Sequence, residues 1–128
     1  MRRLTLDAGA LIAMEKRKRR ALLLLDAAEH GEALLTVPVP IVTEWWRGRT
    51  VVRERILDCV DVAPLPVSVA RAAGEAIAAV RGATPMDAIV MAFAAARGGI
   101  AITTDVGDLE RLRTYFPSVR VLGLGHLR

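Results

Sequence analysis

The stretch ITTDVGDLERL, residues 102–112, changes from a strand pattern to a helical pattern at two threonines and an aspartate. Residues 100–104 predict a short buried strand, and residues 106–116 predict a helix that stops before Pro117. The same order of strand and helix recurs along the chain. Further strands are predicted at residues 3–6, 33–38, 60–65 and 119–124. Short strands that alternate with helices predict an α/β fold, with a parallel sheet covered on both faces.

Predicted helices fill the intervals between these strands. They cover residues 8–14, 19–31, 41–48, 50–60, 68–82 and 85–99. We expect Thr50, Ser68 and Thr84 to be N-caps, since a hydroxyl there accepts a hydrogen bond from the first turn. Gly31 is the predicted stop of the second helix, because glycine tolerates the left-handed conformation that often ends helices.

The size and composition of the chain favour one globular domain over residues 1–128. Hydrophobic residues make up 53% of the sequence, yet no apolar stretch reaches the roughly 18 residues of a membrane span. The N-terminal segment MRRLTLD leads into a run too short for a signal peptide. With Cys59 as the only cysteine, no intrachain disulfide can form, and we expect a reducing, cytoplasmic location.

The charged residues and the histidines indicate which kinds of partner and metal are expected. The net charge of +4 favours an anionic partner, with nucleic acid the first expectation. His30 and His126 lie far apart and have no nearby cysteine, so a zinc site is not expected. Any metal would be bound by oxygen ligands, which suits Mg²⁺ or Mn²⁺. The sequence also offers no Ser–His–Asp or Cys–His set for nucleophilic catalysis.

Acidic residues occur where the predicted strands end and the next helices begin. They are Asp7, Glu44, Asp87, Asp105 and Asp108. In a parallel sheet these positions gather at one edge, where ligands bind. Helix N-termini would soften the repulsion between these carboxylates without neutralising it, whereas a divalent cation would neutralise it.

A structural alternative exists for each acid taken alone. Asp7 and Asp105 suit N-caps, Asp87 suits the first turn after Thr84, and Glu44 can pair with Arg47. However, the segment AIVMAFAAA that follows Asp87 is apolar nearly all round and is therefore predicted to be buried. A carboxylate at a buried helix tip needs a partner, so the acids taken together favour a metal site.

Four motifs in order resemble the PIN-domain ribonucleases of the VapC toxin type over essentially the whole chain. They are LDAGALIA, VTEWWRG, MDAIVMAFAA and ITTDVGDL. The resemblance implies a PIN-like three-layer sandwich, with a central, mostly parallel sheet of about five strands flanked by helices. It also implies a catalytic quartet of Asp7, Glu44, Asp87 and Asp105.

The resemblance further implies metal ligation by Asp7, Asp87, Asp105 and Asp108, with the hydroxyl of Thr103 steadying the fourth acid. One position departs from the family pattern. Many relatives carry serine or threonine two residues after the first acid, and this chain has Gly9. We expect water or backbone to take the role of that hydroxyl.

The expected function is Mg²⁺- or Mn²⁺-dependent cleavage of RNA. The resemblance implies a homodimer that a small antitoxin inhibits with an arginine that reaches the acidic site. We expect the VTEWWRG segment and neighbouring helices to lie in the dimer interface. The alternative is a noncatalytic PIN-like RNA-binding domain. A phospho-acceptor signalling domain ranks lowest, because Asp7 is followed by AGA and the third strand ends in APLP.

Two further features have both a functional and a structural interpretation. The run KRKRR comprises Lys16, Arg17, Lys18, Arg19 and Arg20. It can contact RNA phosphates beside the acidic edge, or it can be a solvated surface segment. Trp45 and Trp46 can stack on bases, but packing in a core or an interface is the favoured prediction.

Overall fold

A computed structural model describes residues 2–125 and contains a five-stranded sheet with the order β3-β2-β1-β4-β5. The strands are β1 (Arg2–Leu6), β2 (Ala33–Pro38), β3 (Asp61–Ala63), β4 (Ile100–Thr103) and β5 (Arg120–Gly123). Every neighbouring pair is parallel, so the sheet expected to be mostly parallel is parallel throughout. The predicted α/β, PIN-like fold is confirmed.

Seven α-helices connect and cover the strands. They are α1 (Ala8–Glu15), α2 (Arg19–Glu29), α3 (Val39–Trp45), α4 (Val51–Cys59), α5 (Val67–Ala79), α6 (Pro85–Ala96) and α7 (Val106–Glu110). A 3₁₀ turn, Arg111–Thr114, follows α7, so the predicted helix over residues 106–116 is shorter and ends in a tighter turn. In the same way, α3 ends at Trp45 rather than near Gly48.

Two of the three predicted N-caps are confirmed. The Thr50 hydroxyl accepts a hydrogen bond from the Arg53 amide at 3.0 Å, and the Thr84 hydroxyl accepts one from the Asp87 amide at 3.3 Å. The predicted cap at Ser68 is wrong, because α5 begins at Val67 with Pro66 in the N-cap position. The fixed φ of proline sets the start of the helix one residue earlier than the serine suggested.

The path of the chain places its helices on opposite faces of the sheet. From β1 the chain moves outward to β2 and β3, and then it returns past β1 to β4 and β5. Crossovers between parallel strands are right-handed, so reversing the direction moves the helices to the other face. The packing agrees, since α1 contacts α2, α3 and α4, whereas α6 contacts α5 and α7.

Helix α6 contains six buried residues, in agreement with its apolar sequence. Val90, Met91 and Phe93 are fully buried, and they pack in one core with Leu6 and Leu35 of the sheet. A buried helix fixes the position of its first turn, which carries Asp87. Within residues 2–125 no helix is both long enough and apolar enough to cross a membrane.

Candidate functional site

The strand order reverses between β1 and β4, and a cleft of about 250 Å³ opens beside the carboxyl ends of these two strands. Such reversal points are where open α/β sheets bind ligands, because the connections diverge there. Asp7, Glu44, Asp87 and Asp105 all line this cleft. The chain therefore brings together four acids that lie as much as 98 residues apart in sequence. We call this space the acidic cleft.

Asp7 is more buried than Glu44 and Asp87. It directly follows β1, and its Oδ1 accepts a hydrogen bond from the Ala10 amide at 2.8 Å, so it caps α1. Burial raises the pKa of the Asp7 carboxyl to about 6, and the charges of Asp87 and Glu44 push it in the same direction. Hydrogen bonds from Thr103 and Ala10 oppose that rise without cancelling it. Asp7 thus performs a capping role and also presents a carboxyl group to the cleft.

Burial and neighbouring acids also raise the pKa values of Asp87 and Glu44. Burial raises the pKa of Asp87, and the charges of Asp108 and Asp105 raise it further, while Thr84 and Arg111 lower it. Burial also raises the pKa of Glu44, and the charge of Asp87 adds to this. The carboxyl groups therefore lie close enough to repel one another. Asp108 belongs to this electrostatic group through Asp87, although it does not line the cleft.

Thr103, the last residue of β4, interacts with the two aspartates that follow β1 and β4. Its buried hydroxyl accepts a hydrogen bond from the Asp105 amide at 2.9 Å and also lowers the pKa of the Asp7 carboxyl. Asp105 occupies the N-cap position of α7, as the structural alternative required, but within residues 2–125 its carboxylate makes no capping hydrogen bond. The turn between Thr103 and Asp105 satisfies the Asp105 amide and leaves the carboxylate free at the cleft.

Thr104 is a cleft residue that sequence reasoning missed. A Cβ atom added at Gly9 would lie 2.5 Å from the Thr104 Oγ1 and 3.3 Å from the Asp7 Oδ1. The Thr104 hydroxyl therefore occupies the space that a side chain at position 9 would fill. We had expected water or backbone to stand in for the missing hydroxyl there. The doublet of threonines at the end of β4 was the available signal.

This close approach predicts that positions 9 and 104 are coupled. Gly9→Ala alone should lower the free energy of unfolding by about 1–2 kcal/mol, because overpacking outweighs the helix propensity gained. In a Thr104→Ala background the same change should stabilise the fold by about 0.5–1 kcal/mol, since glycine inside α1 is unfavourable. Urea denaturation of all four proteins gives the coupling. Additive effects would contradict the contact.

The carboxylates of the acidic cleft are chemically suitable ligands for a hard divalent cation. The ligands are carboxylate oxygens, which Mg²⁺ and Mn²⁺ prefer. As the side chains stand, however, no three acidic, histidine or cysteine side chains within residues 2–125 are arranged to hold one ion. The cleft therefore supplies suitable ligands around one space, and those side chains must draw together to share a cation.

The neighbouring aromatic pair has a structural role. Trp45 is 2% exposed, and its indole Nε1 donates to the Glu15 Oε1 at 2.8 Å. Glu15 in turn pairs with Arg53 at 2.9 Å, which ties α1 to α4. Packing in the core is confirmed for Trp45, and base stacking by this residue is wrong. Trp46 is partly buried at the edge of the core.

The basic residues singled out by the sequence do not line the acidic cleft itself. Arg47 donates to the backbone carbonyls of Thr43 and Trp46, rather than forming the ion pair with Glu44 that the structural alternative required. Lys16 and Lys18 line a cavity beside the acidic cleft, whereas Arg17 lines a groove between α2 and α4. Arg19 and Arg20 are exposed at the start of α2. His126 lies outside the described residues.

Comparison with known proteins identifies the fold through solved structures. No family model and no curated protein matches the sequence. A chain of VapBC2 from Rickettsia felis, bound to a DNA fragment from its promoter, matches with a TM-score of 0.72 at 11% identity. The match covers 94% of this chain and 98% of that one.

Two further structures match over similar lengths. A chain of DNA-bound VapBC from Salmonella typhimurium has a TM-score of 0.72 at 15% identity, over 97% of this chain and 99% of that one. A chain of FitAB bound to an IR36 DNA fragment has a TM-score of 0.67 at 20% identity, over 98% and 97% respectively. This chain is therefore similar in fold to those proteins from end to end.

Proposed function

We propose that this protein is a metal-dependent endoribonuclease and the toxin of a toxin–antitoxin pair. The observation that carries the proposal is the convergence of Asp7, Glu44, Asp87 and Asp105 on one cleft at the reversal point of the sheet. The likeness of fold to VapBC and FitAB supports the toxin–antitoxin role. The raised pKa values of Asp7, Glu44 and Asp87 are typical of functional acids.

In this proposal Asp7, Asp87, Asp105 and Asp108 hold Mg²⁺ or Mn²⁺ at the acidic cleft. When bound, such an ion lowers the pKa of a water molecule and neutralises charge on the phosphodiester under attack. Glu44 is exposed on the wall of the cleft near Asp87, so it faces the incoming substrate. Its raised pKa brings the carboxyl closer to the range in which it can exchange a proton.

The rest of the cleft holds these groups in place. Thr103 and the Ala10 amide orient Asp7, and the hydrogen bond to Thr103 fixes the backbone of Asp105. Ile41 and Val90 are fully buried and form part of the cleft wall. An apolar wall lowers the local dielectric constant and so strengthens every charge interaction in the cleft.

The direct test is cleavage of a mixed RNA pool by purified protein with Mg²⁺ or Mn²⁺. Cleavage is expected with either ion and should disappear in excess chelator. Undiminished cleavage in chelator would falsify the metal-dependent mechanism. A chain that binds RNA but never cleaves it would instead be the noncatalytic RNA-binding domain, which the absence of a ready three-ligand arrangement within residues 2–125 favours.

The phospho-acceptor alternative has little structural support. That chemistry requires an acceptor aspartate at the carboxyl end of the third strand. Here β3 ends at Ala63, and Pro64 follows, while Asp61 lies at the opposite end of the strand.

We also propose a small antitoxin as the protein partner, because VapBC and FitAB are complexes of two different proteins. The antitoxin would inhibit the nuclease, and an arginine from it would pair with the carboxylates of the acidic cleft. The product of an adjacent gene should suppress RNA cleavage when mixed with this protein in equal amounts. Full activity in the presence of every adjacent gene product would contradict the proposal.

A homodimer is expected to form through the VTEWWRG segment and the neighbouring helix α4. Trp45 is internal, so exposed residues next to it must form the contact, and Val51 at the start of α4 is 86% exposed. Light scattering should show a dimer at micromolar concentration, and Val51→Asp should shift it toward monomer. Val67→Asp is the matched control, because Val67 is 68% exposed at the start of α5, which packs on the other face. A monomeric parent protein would contradict the dimer.

A further inference from the structure

A backbone turn within the basic segment of residues 16–20 directs neighbouring side chains to different cavities. Lys16 ends α1 and Lys18 precedes α2, with Arg17 between them at a φ of 58°. Arg17 is the only non-glycine residue with a positive φ within residues 2–125. The left-handed conformation is unfavourable for arginine, so the tertiary structure imposes this turn. It sends the side chain of Arg17 to a different cavity from those of its two lysine neighbours.

Lys16 and Lys18 line a cavity of about 420 Å³ that adjoins the acidic cleft. We call it the lysine shelf. The shelf and the cleft share Gly9, Ile12, Thr104 and Asp105. Ile12 is 40% exposed and lies between them, so it offers an apolar contact to a strand that crosses from one to the other. The shelf therefore borders the acidic cleft, with Asp105 common to both.

The charges around the two cavities differ. Arg17 lines its groove together with Asp26, Glu29 and Arg55, so two acids and a second arginine share that groove. Among the described residues that line the lysine shelf, the only acid is Asp105, which also faces the acidic cleft. Within the described part of the chain, neither Lys16 nor Lys18 forms an ion pair. Lys18 is also partly buried, so it loses hydration without gaining a partner.

We propose that Lys16 and Lys18 bind backbone phosphates of single-stranded RNA that passes from the acidic cleft over Ile12 onto the lysine shelf. This inference rests on the proposed ribonuclease function and deepens it. Carboxylates repel the phosphates on either side of the one undergoing cleavage, so the substrate needs positive charge immediately beside the cleft. Lysine supplies a compact charge that attracts any phosphate and reads no base.

The size of the shelf favours a single strand over a duplex. Double-stranded RNA is recognised across a broad face that covers more than one groove. Two lysines beside one cavity of about 420 Å³ instead match the backbone of one strand with its bases free. Because these contacts go to phosphates, they predict affinity that depends on salt and is indifferent to sequence.

The test measures binding of labelled single-stranded RNA by fluorescence anisotropy, between about 50 and 200 mM salt. All proteins carry Glu44→Gln, which removes one cleft charge and, under the proposed function, slows hydrolysis. Lys16→Gln/Lys18→Gln should weaken binding to unrelated RNA sequences by the same factor. It should also reduce the slope of log affinity against log salt by about 1.4, or about 0.7 for each lost contact. Arg17→Gln is the matched control and should leave the affinity and the slope near those of the parent.

Binding of two further nucleic acids, measured in the same way, identifies the kind of ligand. Single-stranded DNA of the same sequence shares the phosphates and should show the same loss of slope, whereas a duplex should bind weakly and independently of the lysines. Unchanged binding in the double-lysine variant, or an equal loss in Arg17→Gln, would overturn the proposal. A parent protein that fails to bind single strands would also overturn it. Cleavage is assayed separately in protein with an intact Glu44. Lysine-dependent binding without cleavage would reject the ribonuclease function and leave the lysine shelf standing.

Discussion

Asp7→Asn is expected to reduce metal-dependent RNA cleavage to background and at the same time to stabilise the fold at neutral pH. Loss of activity follows because asparagine cannot contribute a negative charge to a cation. Stabilisation follows because burial raises the pKa of the Asp7 carboxyl to about 6, which means that the folded protein resists its ionisation. Asparagine keeps an oxygen that can accept the Ala10 amide hydrogen bond and removes the buried charge.

The direction of the pH dependence follows from that shift. The carboxyl has a pKa near 3.8 when unfolded and about 6 when folded, so the folded state binds the proton more tightly. Its contribution to stability is fully present below pH 3.8 and is lost as the pH rises through 6. At pH 7.5 Asp7→Asn should therefore raise the free energy of unfolding by about 2–3 kcal/mol, and at pH 4 it should have little effect.

Urea denaturation at the two pH values measures the stability change, and the RNA pool assay measures activity. Asp61→Asn is the matched control, because Asp61 is exposed at the far end of β3 and lines none of the cavities described here. It should change neither quantity. An Asp7→Asn protein that still cleaves RNA at the parent rate would remove Asp7 from the mechanism, whatever its stability.

The pattern of strands and acids was predictable because it depends on local rules. The second strand was predicted with its observed bounds, since its apolar run stops at proline. Thr50 and Thr84 act as caps because a hydroxyl reaches an amide only three residues ahead. The convergence of the acids followed from one topological fact, that parallel strands present their carboxyl ends at the same edge. Those inferences needed no knowledge of side-chain packing.

The features that sequence missed depend on contacts between distant residues. Thr104 against Gly9 joins positions 95 residues apart, and the Glu15 bridge to Trp45 and Arg53 joins three separate helices. The division of the basic run depends on one backbone angle at Arg17, a residue type that gives no sign of a positive φ. The hydrogen bond from the Asp105 amide to the Thr103 hydroxyl likewise depends on the local turn rather than on the residue pattern.

Divalent cations are expected to stabilise the protein strongly, and this effect should reverse the pH dependence of its stability. At a cation concentration about 100 times the dissociation constant, binding adds about 2.7 kcal/mol to the free energy of unfolding. For a chain of 128 residues this corresponds to a rise in Tm on the order of 10 °C. Cation binding requires ionised carboxylates, so protonation of Asp7 below about pH 6 competes with it.

Without a cation, burial of Asp7 makes the fold less stable as the pH rises from 5 to 7.5, because the carboxylate is forced to ionise. With saturating Mg²⁺ or Mn²⁺ the same ionisation creates the ligand, so the cation-induced rise in Tm should be small at pH 5 and full at pH 7.5. Thermal melts in chelator, in Mg²⁺ and in NaCl of equal ionic strength separate specific binding from screening. Asp87→Asn should lose most of the Mg²⁺ effect while Asp61→Asn keeps it. An equal Tm in chelator and in Mg²⁺ at pH 7.5 would show that the acids converge without binding a metal, which is what the noncatalytic alternative predicts.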